Sequence, residues 1–485
     1  MLHSNFKKLT MKNILKTALI GIFISAFFVS CQSDLTSLNE DPKHPSVLPS
    51  ENLLATALFQ SSYYMDNPSV NFNNYRFFTQ QWAEGQYPQE TQYDLVTRNQ
   101  PRNHFNRMYV YSLNNIRQAK ENLKNEVETD DVRTNKLATL EIQEIFIWEN
   151  LVDTFGDVPY SEAFKPNEIL TPKYDDAKTI YIDLIKRIDA VIATVKPSAK
   201  GYASGDLVYL GNMSKWIKFA NSVKLRLGIN LADVDPTLSK ATVESAIAGG
   251  VIASEDDAYK FKYDGNTFSN PVFDNLVASN RDDFVPSEIV INTMNSLSDP
   301  RMDKWFTKVG GIYKGGVFGE LNDPYSDFSH LNDYFRSSTT ASNLLSYAEV
   351  NFLKAEAAAR GYSAGGTAVD LYATAVTSSM KENGVADASI ATYLVANPYN
   401  AVNWKQSIGV QAWIAMFNKG LACWNFTRRL DNPTLVNPPK SNLSSVPYRM
   451  PYSDQEYVLN GANVKAAASK IGGDKATTKL FWDKF

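Results

Sequence analysis

Apolar residues recur every three to four positions along much of the chain, and the segments that do so come in pairs. In residues 135–155, Ile145, Trp148, Val152 and Phe155 fall on one helical face, and Gly156 ends the run. After Thr171-Pro172, residues 174–193 repeat the period with Ala177, Tyr181, Leu184, Ile188 and Val191, while Asp175, Asp183, Lys186, Arg187 and Asp189 supply a polar side. The two segments predict an antiparallel hairpin of helices. A second hairpin is predicted where YAEVNFLKAEAAARG turns Val350, Leu353 and Ala357 to one side and stops at Gly361. TAVDLYATAVTSSMKENG follows, with Val369, Tyr372, Val376 and Met380 on its apolar face. Small residues at the contact let the two backbones approach closely. A helix, a Gly-containing turn and a second helix form the unit of tetratricopeptide-type repeats, which bury their faces only by stacking on the next unit. Residues 212–232, 236–248 and 404–417 carry the same periodicity.

Two stretches break the pattern. Residues 67–101 are rich in aromatics, Asn, Gln and Pro, and residues 260–342 in Gly, Asp, Asn and aromatics, with little sustained period in either. Loops this long are usually functional or disordered, and their aromatic content argues against disorder. The fold class expected is therefore mainly α: a tetratricopeptide-like helix-pair scaffold with long irregular insertions, forming one domain over residues 50–485.

The front of the chain has a different character. Lys12 and Lys16 precede the apolar run LKTALIGIFISAFFVS, which ends at Cys31 and is followed by QSDLTSLNEDPKHPS. A charged start, an apolar middle and small residues before the cut describe a secretory signal, and a Cys at the first mature position makes it a lipoprotein signal. The run is shorter than the roughly 20 residues a bilayer-spanning helix needs. Residues 1–30 are thus expected to be removed, Cys31 to carry lipid, and residues 31–49 to form an extended tether. The hydrophobic content of 44% is enough for a large core behind that tether. The net charge of −4 includes four lysines of the signal, so the remainder is more acidic still. That balance disfavours nucleic acid as a partner. With Cys31 lipidated, only Cys423 remains and no structural disulfide can form.

Several segments together resemble the SusD/RagB family of nutrient-binding outer-membrane lipoproteins. They are SLNEDP soon after Cys31, ENLVDTFGDVPYSEAF, GNMSKWIKFANSVKLRLGINL, RDDFVPSEIVINTMNSLSDPRM, LLSYAEVNFLKAEAAARG, VQAWIAMFNKGLACWNFTRRL and VPYRMPYSDQEY. The likeness is to the branch labelled starch-binding and associated with the outer membrane. QAW and ACWNFTRRL depart from it, where a Lys-Trp pair and an acidic residue before the Trp are expected. The resemblance implies a lid over a SusC-like TonB-dependent transporter. Such a lid faces the cell exterior, is held at the outer membrane by its lipid anchor, and catches an oligosaccharide or peptide without covalent chemistry or cofactor. The insertions would form its ligand face.

A sugar ring offers an apolar C–H face and a rim of hydroxyls, so its site wants exposed aromatic platforms beside amides, carboxylates or guanidinium groups. The first insertion supplies Phe72, Asn73, Asn74, Tyr75, Trp82, Tyr87 and Tyr93, with Gln81, Gln86, Gln89, Gln92 and Arg98 between them. The second supplies Phe268, Asn270, Phe273, Asn280, Arg281, Asp282, Tyr313, Phe318, Tyr325 and Tyr334. Trp82 and Tyr313 are the leading candidates, followed by Tyr75, Tyr87, Tyr93, Asn74, Arg98, Asn270, Arg281, Asp282 and Tyr325. Trp148, Trp216, Trp404 and Trp413 sit on helical patterns and are assigned to packing.

Two other classes stay open. A helical-repeat adaptor would need no small ligand. A glycoside hydrolase would need two carboxyls about 5–9 Å apart, and Asp282-Asp283 and Asp256-Asp257 are the conspicuous pairs, although adjacent acids more often mark a turn or helix start. Zinc-protease, serine-hydrolase, phosphate-loop and dinucleotide fingerprints are absent from the sequence, and its four His are scattered.

Overall fold

The computed structural model describes residues 48–485; the predicted signal, Cys31 and nearly all of the predicted tether lie outside the described residues. From Pro49 onward the chain forms one compact unit. Its frame is a succession of packed helix pairs. Helix α1 (Ser50–Met65) packs on α2 (Asn114–Leu123), α3 (Asp130–Phe155) on α4 (Ala177–Thr194), and α5 (Met213–Asn230) on α6 (Pro236–Ala248). Then α7 (Tyr347–Ala359) pairs with α8 (Ala368–Glu382), and α9 (Trp404–Ala415) with α10 (Gly420–Leu430). Contacts of α4 with α5, α5 with α7 and α7 with α9 stack the pairs in order.

Local chemistry sets the helix limits. Asp176, Asn212, Asp235, Ser346 and Thr367 each cap a helix by accepting a first-turn N–H, which satisfies a donor the helix itself leaves free. Gly156 ends α3 at φ +84°, a conformation glycine adopts without steric cost. The predicted core faces hold: Ile145, Trp148, Val152, Phe155, Tyr181, Leu184, Ile188, Val350, Leu353, Tyr372, Val376 and Met380 are all buried. Trp216 and Trp413 are buried as well. Val369 is the exception, 55% exposed in the first turn of α8, where the period continues but the neighbouring helix does not reach.

Buried ion pairs tie the stack together. Arg226 of α5 holds Glu149 of α3 through two bonds of 2.8 and 2.6 Å and Glu349 of α7 through a third of 3.0 Å. Arg429 of α10 binds Glu356 of α7 in the same manner (2.9–3.1 Å). No helix among the described residues is long and apolar enough to cross a membrane.

Among the described residues, the sheet content is three two-stranded antiparallel ladders. Strand β1 (Trp82–Glu84) lies in the first insertion, followed by β2 (Val158–Pro159), β3 (Tyr174–Asp175) and β4 (Tyr259–Phe261). Strands β5 (Phe284–Pro286) and β6 (Ser342–Leu345) complete the set. The ladder that matters here joins β1 to β5, with Trp82 opposite Pro286, Ala83 opposite Val285 and Glu84 opposite Phe284. It fastens the two irregular stretches to each other.

Candidate ligand-binding cleft

Immediately beyond that ladder the chains diverge around a cleft of about 490 Å³. One wall comes from the first insertion, through Val70, Glu84, Gln86, Tyr87 and Arg98. The other is the segment Asn280, Arg281, Asp282, Asp283 and Phe284. Gly85 permits the approach: its N–H donates to the Asp283 carbonyl at 2.7 Å, and a Cβ at this position would stand 2.6 Å from the Asp282 carbonyl oxygen. Asn322 props the same edge, donating its side-chain N–H to the Glu84 carbonyl (2.8 Å) and its backbone N–H to that of Gly85 (2.9 Å). Asn280 takes the left-handed conformation at φ +50° and turns the chain into the second wall; asparagine is among the few residues that tolerate it.

Tyr87 is 54% exposed, with the Arg98 guanidinium 5.9 Å from its ring centroid. Arg98 is fixed from behind by Glu90, Nε to Oε1 at 2.6 Å. Arg281 stays exposed and reaches Asp283 only at 3.5 Å. Burial raises the Asp283 carboxyl above its ordinary range, and Arg281 pulls it back. Glu84 lies well above that range because it is buried and because Glu90 is beside it. The surface thus joins one aromatic face to two guanidinium groups, two amides and a set of carboxyls.

Of the residues expected at a ligand site, Tyr87, Arg98, Arg281 and Asp282 meet in this cleft. Tyr325 is near enough for the Asp282 charge to act on its hydroxyl, and its ring stacks on His330 with centroids 3.7 Å apart.

The other candidates do not reach the cleft. Trp82 is 1% exposed, its ring packed among Phe284, Phe417 and the Arg76 guanidinium, so it offers no face to a ligand. Tyr75 is fully buried, with its hydroxyl on Thr154 (2.7 Å) and His104 (3.0 Å). Tyr93 is buried against Phe78 and Phe318 and accepts a bond from Gln80. Asn74 is buried in front of the short helix Tyr75–Phe78. Asn270 caps Pro271–Phe273 and donates to the Thr340 carbonyl. Tyr313 is half-buried outside the cleft, its hydroxyl tied to Asp303 and Lys308 over its ring.

Sequence reasoning also missed residues. Glu84, Glu90, Asp283 and Phe284 carry no sequence signal for a ligand site, beyond Asp283 forming an acidic pair with Asp282. A lone Glu in an amide-rich loop carries no periodic or motif signal, and only the ladder pairing brings Glu84 to the cleft.

Stacked helix pairs carrying a polar cleft on their insertions define a tetratricopeptide-like scaffold with a separate, loop-built face. The pattern of a family described as SusD-like, "Starch-binding associating with outer membrane", matches residues 42–453, and the chain belongs to that family. A solved structure titled a chitin-binding protein shares 27% identity and superimposes with a TM-score of 0.79, covering 90% of this chain and 100% of the other. A SusD homolog from Bacteroides uniformis shares 25% identity at a TM-score of 0.74, covering 90% and 99%. A chitin-binding SusD homolog from Flavobacterium johnsoniae, at 24% identity and a TM-score of 0.75 over 90% and 97%, has the same fold. No curated protein sequence matches.

Proposed function

We propose that this protein is a cell-surface lipoprotein that binds a nutrient oligosaccharide in the cleft between its two insertions and passes it to a partner TonB-dependent outer-membrane transporter. The observation that carries the reading is the meeting of Tyr87, Arg98, Arg281 and Asp282 around an open cleft, on a chain whose family description is starch-binding and outer-membrane-associated. The chitin-binding title of a relative at 27% identity supports a glycan as the ligand class. An exposed tyrosine face suits the apolar side of a pyranose, and the surrounding amides, carboxyls and guanidinium groups suit its hydroxyls. Arg98 and Arg281 are offset by Asp282, Asp283 and Glu90, so the cleft favours a neutral or weakly charged oligomer over a polyanionic one.

Calorimetry against a panel of neutral, amino and acidic oligosaccharides and peptides tests the site, repeated with Tyr87→Ala and Arg281→Ala. Binding of a neutral glycan that both variants weaken by roughly tenfold or more is expected. Equal binding by parent and variants would move the ligand elsewhere. Anchoring is tested by mass spectrometry of the N-terminus, where a lipid on Cys31 is expected and Cys31→Ala should release the protein from membranes. The partner is tested by gentle detergent pull-down, in which a TonB-dependent barrel should co-purify.

A further inference from the structure

Glu84, in the cleft wall, belongs to an arrangement that a ligand-binding role does not by itself require. Glu84 and Glu90 are both buried, at 2% and 0% exposure, and they are near enough for the Glu90 carboxyl to act on that of Glu84. Glu84 Oε2 accepts the N–H and the hydroxyl of Thr91 at 2.9 and 3.0 Å. Glu90 Oε1 accepts Arg98 Nε at 2.6 Å and, more weakly, Gln100 Nε2 at 3.5 Å. Glu90 Oε2 is buried and receives a bond from none of the described donors. Two ionised carboxylates this close in a buried site repel strongly, while a single proton between them turns the repulsion into a hydrogen bond.

Resting on the reading of the cleft as the ligand site, we propose that Glu84 holds a proton at neutral pH and donates it to Glu90, and that this acid pair, carrying one negative charge, is what positions Arg98 over Tyr87.

One proton accounts for both irregularities at once. It removes a surplus charge and gives the otherwise unserved Glu90 oxygen a donor. The remaining charge then matches one guanidinium, which fits Arg98 being turned toward Tyr87 in the cleft while gripped from behind. The other charges facing the pair are engaged or exposed. Across the ladder, Asp283 is next to Arg281 and Asp282 is exposed. On the loop that props the β1 edge, Glu320 pairs with Lys440 at 2.6 Å. Burial is the main cause that lifts Glu84 above the ordinary carboxyl range, with Glu90 adding to it. Glu84 is thus a positioning residue. It acts on a ligand through Glu90 and Arg98.

The sign of the pH dependence follows from the raised carboxyl. Its contribution to stability is fully present below the ordinary Glu value, about 4.5, and is lost as pH rises through the folded-state value. Glu84→Gln keeps a donor aimed at Glu90 and cannot ionise, so it should melt at least as high as the parent at pH 8, with the difference between the two growing from pH 5 upward. Glu84→Ala should melt lower than both. In crystals of Glu84→Gln, the Arg98–Glu90 bond should persist, and in Glu90→Gln Arg98 should leave its position. An infrared difference spectrum of parent minus Glu84→Gln at pH 7 should show the C=O band of a protonated carboxyl. A missing band, or Glu84→Gln as destabilised as Glu84→Ala with the parent's pH profile unchanged, overturns the proposal. None of these measurements uses a ligand, so their failure leaves the cleft reading standing, and failure of glycan binding leaves the acid pair standing.

Discussion

Arg226 and Arg281 both face carboxylates, and they belong to opposite halves of the molecule. Arg226 is enclosed by three helices and makes three bonds of 2.6–3.0 Å to two glutamates. Arg281 stands exposed at the cleft with a single partner at 3.5 Å. In the helix stack, charge is consumed internally and fixes how successive pairs meet. At the cleft, by contrast, Arg281 keeps most of its donors open to solvent. The same side chain therefore serves cohesion in one region and stands open to solvent in the other.

The largest effect that would sharpen this contrast is expected from Arg226→Ala. Two carboxylates left buried without their cation should cost about 3–5 kcal/mol in chemical unfolding. An effect as small as that of a surface arginine would break the comparison.

His104 comes next. It sits at the seam between the halves, its Nε2 on the Tyr75 hydroxyl and on Asn150 Oδ1 (2.8 Å). Burial pushes it down to about 4, with the Asn150 bond opposing. A depressed folded-state value means that its contribution is present above the unfolded value of about 6.5 and is lost as pH falls toward 4, for about 3 kcal/mol in all. Thermal melts from pH 7 to pH 4 should show a slope in the parent that is absent in His104→Gln.

Gly85→Ala is expected to cost about 1–3 kcal/mol, since the new methyl group meets the Asp282 carbonyl and must spread the cleft. Its melting temperature and its glycan affinity should fall together. The smallest effect on stability should be that of Tyr87→Ala, within about 0.5 kcal/mol, because an exposed ring is being removed. A clear loss of stability in that variant would mean that the ring supports the fold.

The helix pairs were legible because a 3.6-residue period with caps and glycine stops is a local signal, and α3, α6 and α7 end within a few residues of where their patterns end. The cleft was only half legible. Aromatic and amide content marked both insertions, but composition cannot tell an exposed ring from a buried one. Trp82 is the clearest case. Its neighbours Gln80 and Gln81 suggest a wet loop, yet both are buried and spend their amides on the carbonyls of Val436 (2.7 Å) and Trp413 (2.6 Å). Which residues of two distant insertions meet depends on a ladder of three residue pairs. A register of that kind leaves no periodic trace in either strand.

The Trp82–Glu84 and Phe284–Pro286 ladder also bears on how such a binding face can change over generations. It clasps the bases of two loops whose exposed ends lie beyond it, so insertions or deletions at residues 86–89 or 280–283 need not disturb the helices beneath. A lineage can exchange tips as cassettes while keeping the helical frame. Change within the clasp itself would move both tips at once and should be tolerated far less often.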